Sequence, residues 1–203
     1  MAGSIQITAL VWQQVTIPYA DFPVLLAAHL KQYPGTPEVE RLGLALRESD
    51  PMKWDDLETF IKKVCEWAGQ TGPRVLGQVL KGSKTEIESN VRDAIAQLRS
   101  AKPDPAAAVG KMNEVKGLGI SFASKHLRLL FPEYCPVLDS ILSCRLDYAL
   151  TADGYGAFAR RCTEIAGELN RAQIASTFPG RTDWRPSDVE AALFAWVNGW
   201  PTT

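Results

Sequence analysis

From about residue 20 onward the apolar side chains recur at helical spacing, and proline and glycine break that rhythm into segments. Trp54, Leu57, Ile61, Val64 and Ala68 lie on one face by the i, i+3, i+4 rule. Ile87, Val91, Ile95 and Leu98 form a second stripe. Phe158, Cys162, Ile165 and Leu169 form a third, and Val189, Ala192, Leu193 and Trp196 a fourth. Each stripe has to be covered by another, so the chain can only become a stack of helices. Thr85 with Glu88, and Ser187 with Glu190, have capping-box spacing. Asp21 and Thr36-Pro37 suit the starts of two shorter helices carrying Leu25, Leu26, Leu30 and then Val39, Leu42, Leu46.

Tyr33-Pro34-Gly35, Gly72-Pro73, Gly82-Ser83, Lys102-Pro103-Asp104-Pro105 and Phe178-Pro179-Gly180 mark helix ends or turns. Ser4 to Pro18, rich in Ile, Val and Thr, reads as one or two short strands or an extended arm. The expected fold is therefore all-α: one unit of about ten helices over residues 1–203, with a short extended N-terminal segment. Two lobes with a cleft between them are the alternative arrangement.

Composition narrows the functional classes. No secretory signal opens the chain, and no apolar run reaches the roughly 18 residues that span a bilayer, so the expectation is a cytoplasmic protein without membrane association. Cys65, Cys135, Cys144 and Cys162 are too scattered for a disulfide framework or a zinc or iron–sulfur site, and read as buried free thiols. No metal is expected. A net charge of −1 gives a nucleic-acid binder no help beyond what a local basic face supplies.

Glu114 to Leu142 carries the functional signal. Val115-Lys116-Gly117-Leu118-Gly119 separates two helical patterns, and its glycines permit a tight bend. Amides at the start of the following helix then point outwards as an anion site, with Lys116, Lys125 or Arg128 in reach of a docked phosphate. On residue pattern alone, a simple packing joint is the better explanation of the two glycines. After the second pattern comes Pro136-Val137-Leu138-Asp139-Ser140-Ile141, which places an acid at a helix start. Helix capping explains such an aspartate without any chemistry.

This stretch resembles the helix-hairpin-helix DNA glycosylase superfamily, whose members include the 8-oxoguanine glycosylases. Val115, Gly117, Leu118, Gly119 and Ala123 fall in register with the family's hairpin, and Lys116 replaces its common proline. Asp139 stands 18 residues after Ser121, close to the family's spacing. The resemblance implies a hairpin motif over about residues 105–131 and a helix over 136–149 headed by a catalytic Asp139. It implies removal of a modified base, with an oxidised purine as the first guess, from duplex DNA whose damaged nucleotide is flipped out. Lys116, Gly117, Gly119, Lys125 and Arg128 would hold phosphate. Where strand-cutting members carry a nucleophilic lysine this chain has Ser121, so base removal without lyase chemistry is expected; Lys125, one turn on, is the only substitute. No cofactor is implied, and the chain is taken to act as a monomer. The alternatives are a non-enzymatic DNA-binding module and a helical protein-interaction domain.

An extruded base needs flat or apolar walls. Phe122 and His126 share a face of the second hairpin helix, and Trp184 lies between two arginines in a polar loop. These three are the candidates for the base pocket, with core packing as the competing explanation for each. Trp54 and Trp196, on clear apolar stripes, are expected in the core.

Overall fold

The stripes become helices. A computed structural model describes residues 9–12 and 15–200, with side chains from residue 16 onward. Ten α-helices follow one another: α1 (Phe22–Gln32), α2 (Thr36–Glu48), α3 (Trp54–Trp67), α4 (Gly72–Val79), α5 (Lys84–Arg99), α6 (Pro105–Asn113), α7 (Ile120–Leu130), α8 (Ser140–Leu146), α9 (Ala152–Arg171) and α10 (Pro186–Val197). Before them, β1 (Ala9–Trp12) and β2 (Val15–Pro18) pair antiparallel, with Trp12 opposite Val15. The extended N-terminal segment is thus a hairpin where it is described; residues 4–8 and 13–14 of that reading lie outside the described residues. None of the described helices is long and apolar enough to cross a membrane.

Each predicted stripe faces inward. Leu57, Ile61 and Val64 of α3, Ile87, Val91, Ile95 and Leu98 of α5, and Phe158, Cys162, Ile165 and Leu169 of α9 are all buried. With Val189, Ala192 and Leu193 of α10 they belong to one contiguous core that runs from α1 to α10. Trp54 and Trp196 pack against that core while partly exposed. Of the four cysteines, Cys144 departs from expectation, for it is exposed on α8.

Helix starts differ from the sequence reading in two places. α5 is capped by Ser83, whose hydroxyl accepts from the Glu86 amide at 3.5 Å, so Thr85 and Glu88 lie inside the helix. Ser83 comes first after the turn at Gly82 and takes the cap before Thr85 can. α10 begins at Pro186, whose fixed φ suits a first helical position. There the Asp188 carboxylate accepts from the Arg185 amide at 3.2 Å, and Ser187 and Glu190 are not a capping pair. Glu190 is thereby left for another task. Gly72-Pro73 marks the boundary at which α4 begins, in keeping with its reading as punctuation.

The placement of α7, which carries the hairpin, depends on a close backbone approach. A methyl group on Gly43 of α2 would stand 2.1 Å from the Leu129 carbonyl oxygen of α7 and 2.9 Å from the Phe60 ring. Only a bare backbone lets α2 lie this near. Because the obstacle is main chain, Gly43→Ala should destabilise the fold by at least the ~1–3 kcal/mol typical of overpacking. Urea unfolding of the two proteins measures this, and an unchanged midpoint would refute it.

Candidate active site

The bend between α6 and α7 is built around one glycine. Gly117 has φ +93°, a conformation L side chains rarely adopt, and a Cβ there would lie 2.7 Å from the Gln78 Cβ at the end of α4. Gly119 differs. It is the N-cap of α7 in extended conformation (φ −82°, ψ 171°), it is exposed, and a Cβ would meet nothing within 4 Å. With no capping side chain, the Ile120 and Ser121 amides that open α7 have no acceptor among the described residues. Such amides at the positive end of a helix suit an anion. Lys116 is exposed on the bend, and Arg74 and Lys81 are exposed on α4 and just beyond it.

One turn into α7 the surface gives way to a cavity of about 230 Å³. Its walls come from α1 and its C-cap (His29, Tyr33), the end of α3 (Trp67), α7 (Ser121, Phe122, Lys125), the N-cap of α8 (Asp139) and α10 (Glu190, Phe194). His29 stacks on Tyr33 with ring centroids 4.8 Å apart, and Tyr33 continues to Trp67 at 5.4 Å and Phe194 at 6.3 Å. The volume falls below the roughly 300–1,000 Å³ of sites for drug-sized ligands, and the flat walls suit a single ring system.

Asp139 reaches this cavity at the end of an extended segment. Two contacts pin that segment: the Leu138 amide donates to Ser124 Oγ at 3.1 Å, and the Tyr155 hydroxyl donates to the Pro136 carbonyl at 3.0 Å. The predicted helix over 136–149 is therefore shorter, starting only at Ser140. Asp139 Oδ1 accepts from the Ile141 and Leu142 amides at 3.0 and 3.1 Å, which caps α8. Its other oxygen, Oδ2, lies 3.7 Å from Lys125 Nζ. Capping and a place in the site thus coexist, one oxygen for each.

Lys125 also donates to Ser121 Oγ at 3.1 Å and sits 5.3 Å over the Phe122 ring. Burial lowers its pKa, while Asp139 and Glu190 pull in the opposite direction. Glu190 is 3% exposed, and burial pushes its pKa up to about 7 against the opposing charge of Arg128. Tyr33 is raised by burial and then by Asp139 and Glu190. Burial, reinforced by Arg128, drives His29 down to about 3, so this imidazole is neutral at ordinary pH. The cavity therefore combines aromatic walls with two carboxyl groups, an amine and a neutral imidazole. That equipment can hold a flat heterocycle and move protons to or from it.

Three of the predicted site residues lie elsewhere. Arg128 is on the same stripe as Ser121 and Lys125, but that stripe runs inward, and the guanidinium is fully buried. Its Nε lies 3.4 Å from Glu190 Oε2, and its charge sits 5.4 Å over the Trp67 ring, so it cannot meet a phosphate outside. His126 is fully buried behind the helix, edge-on to Phe60, with Nδ1 on the Phe122 carbonyl at 2.7 Å. Trp184 is 2% exposed; its indole N–H donates to the Ile174 carbonyl at 2.8 Å and its ring meets Phe22 edge-on. Lys125, Ser121, Phe122 and Asp139 do converge. His29, Tyr33, Trp67, Glu190 and Phe194 were missed. Tyr33 reads as punctuation and Glu190 as a cap partner, although aromatic residues at helix ends and off the main stripe are a usable sign.

Comparisons with protein-family models, curated proteins and solved structures give no match to this chain.

The two hairpin glycines should respond differently to substitution. Gly117→Ala combines a left-handed residue with a close contact and should cost at least ~1–2 kcal/mol of stability. Gly119→Val has open space and should change stability by less than about 1 kcal/mol. It would nonetheless crowd the free amides, so any binding of an anionic ligand there, with short duplex DNA as the probe and fluorescence anisotropy at low salt as the readout, should weaken severalfold. Unaltered binding by Gly119→Val would make the bend purely structural.

Proposed function

We propose that this protein is a helix-hairpin-helix DNA glycosylase-like enzyme that hydrolyses the N-glycosidic bond of a modified base, with an oxidised purine as the first substrate to test. One observation carries the reading: Ser121, just past the hairpin, and Asp139 line the same aromatic cavity. A backbone phosphate held by the amides that open α7 and by Lys116 puts the adjacent deoxyribose near Asp139. The base then leaves the stack and enters between Tyr33, Trp67, Phe122 and Phe194. Arg74 and Lys81, exposed on and just beyond the helix α4 that meets the bend at Gln78, are a local source of positive charge in a chain of net charge −1.

Departure of the base leaves positive charge on the sugar, as in glycoside hydrolysis. Asp139 Oδ2 is the group that stabilises this charge and orients a water, while Oδ1 stays fixed by two amides. The fixed oxygen limits the reorganisation that the carboxylate needs during reaction.

The test is a panel of duplexes, each bearing one modified base and assayed for alkali-labile sites, with Asp139→Asn alongside. Asparagine caps helices as well as aspartate does, so the fold should survive while base release falls ~10²-fold or more. Salt-sensitive binding with every base intact would leave a DNA-binding module, and no binding at low salt would leave a protein-interaction domain.

A second reading, covalent attack on the sugar, is favoured by the Lys125 amine standing 3.1 Å from Ser121 Oγ. The lysine that Ser121 replaces in strand-cutting relatives thus has a neighbour at nearly the same place. Burial lowers the Lys125 pKa and so favours this reading, but the amine is engaged by Ser121 Oγ at 3.1 Å and lies 3.7 Å from Asp139 Oδ2, and the hydrolytic reading is preferred on that geometry. Borohydride should therefore trap no protein–DNA adduct. An adduct that disappears in Lys125→Ala would replace hydrolysis with lyase chemistry.

A further inference from the structure

We infer that Glu190 is the general acid of this site, delivering a proton to the departing base while Asp139 faces the sugar. The inference rests on the base-excision reading above. Its ground is placement: two carboxyl groups line one cavity, and they come from different elements with different surroundings. Asp139 stands at the mouth beside Ser121 with backbone amides on one oxygen. Glu190 projects from α10 among the aromatic rings, 3% exposed, where the base itself would lie. A pair of carboxyls so divided matches the division of labour in glycoside hydrolysis, with one acid for the leaving group and one carboxylate for the sugar and water.

The step balances as follows. The Glu190 carboxyl proton passes to a ring nitrogen or exocyclic oxygen of the base, and the C1′–N electron pair leaves with the base. A water oxygen bonds to C1′ and gives its proton to Asp139. Glu190 regains a proton through solvent, and Asp139 loses one by the same route. Neither an oxidant nor a metal enters the balance.

The groups around Glu190 set when it can hold that proton. Arg128 and Lys125 of α7 favour its ionised form, as does the Val137 amide, whereas burial and the charge of Asp139 favour the acid. Burial dominates and brings the group to about 7. From α9, Tyr155 and Cys162 face it, both raised well above their ordinary range and so neutral. His29, neutral as well, and Tyr33 complete the α1 wall. Glu190 Oε2 has no hydrogen-bond partner among the described residues, although Arg128 Nε is 3.4 Å away.

Single-turnover excision between pH 5.5 and 8.5, on whichever duplex of the panel wild type cleaves, tests the inference. The acid form is the active one, so the wild-type rate should fall as pH rises through about 7, approaching tenfold per unit. Glu190→Gln keeps size and shape; it should lower the rate ~10²–10⁴-fold and abolish that dependence, with duplex affinity and melting temperature unchanged below about pH 6, where wild-type Glu190 is itself neutral. A variant that keeps the wild-type profile, or that loses affinity and melting temperature along with rate, would make Glu190 only the partner of Arg128. Should Glu190→Gln fail to fold, a flat wild-type profile from pH 6 to 8 overturns the inference by itself. Excision by wild type with a flat profile removes the acid role alone, while absence of excision across the panel removes base excision and this inference together.

Discussion

A buried cation from α7 facing a buried carboxyl from α10 fixes the geometry of the site. Arg128 is wholly enclosed and Glu190 nearly so. Removing the Arg128 charge from water costs several kcal/mol unless a compensating group lies close, and Glu190, brought to about 7 by burial, is that group. The two helices must therefore stay apposed at this point, and Glu190 of the pair also lines the cavity. Trp67 covers the guanidinium from the α3 side, which makes the same ring a wall of the cavity and a lid on the charge. A second buried cluster holds the first turn of α10. Arg181 grips both Asp188 oxygens, pairs with Glu40 of α2, and lies over the Phe178 ring.

Asp139 illustrates how a structural requirement and a chemical one can share a side chain. A carboxylate has more acceptor positions than a helix cap uses. Here the amides of α8 take one oxygen and leave the other toward Lys125. The cap gives the acid a fixed orientation, which a catalytic carboxylate needs and a loop aspartate lacks. The opposing influences on Lys125, burial against the nearby acids, tie the amine to the same place. It bridges Ser121 and Asp139 and so links the first turn of α7 to the start of α8.

The all-helical fold was legible because a 3.6-residue apolar period can be satisfied only by burying one face of a helix. Leu57, Ile61 and Val64, or Phe158, Cys162, Ile165 and Leu169, obey that rule and are buried. Where the reading went astray, two signals competed within a few residues. Ser83 lies closer to the turn than Thr85, and Pro186 starts α10 before Ser187 can cap it. Arg128 and Lys125 differ by less than one turn on α7, yet one is sealed and the other lines the cavity. Helical periodicity says which residues share a face, but not how far along that face the neighbouring helices reach.

By itself the sequence determined the helices, the bend at Gly117 and the position of an aspartate at the head of α8, since each follows from local backbone chemistry. Tertiary structure decided what surrounds that aspartate. Tyr33, Trp67, Glu190 and Phe194 come from the end of α1, the end of α3 and α10, distant in sequence, and they meet only because α1 packs on α10 and α3 on α7 around one cavity. It also decided that Arg128 and Trp184 serve the interior, because a polar sequence context does not reveal that a guanidinium finds a buried carboxyl or an indole N–H a buried carbonyl. Local interactions write the elements into the chain; long-range burial assigns the side chains their partners.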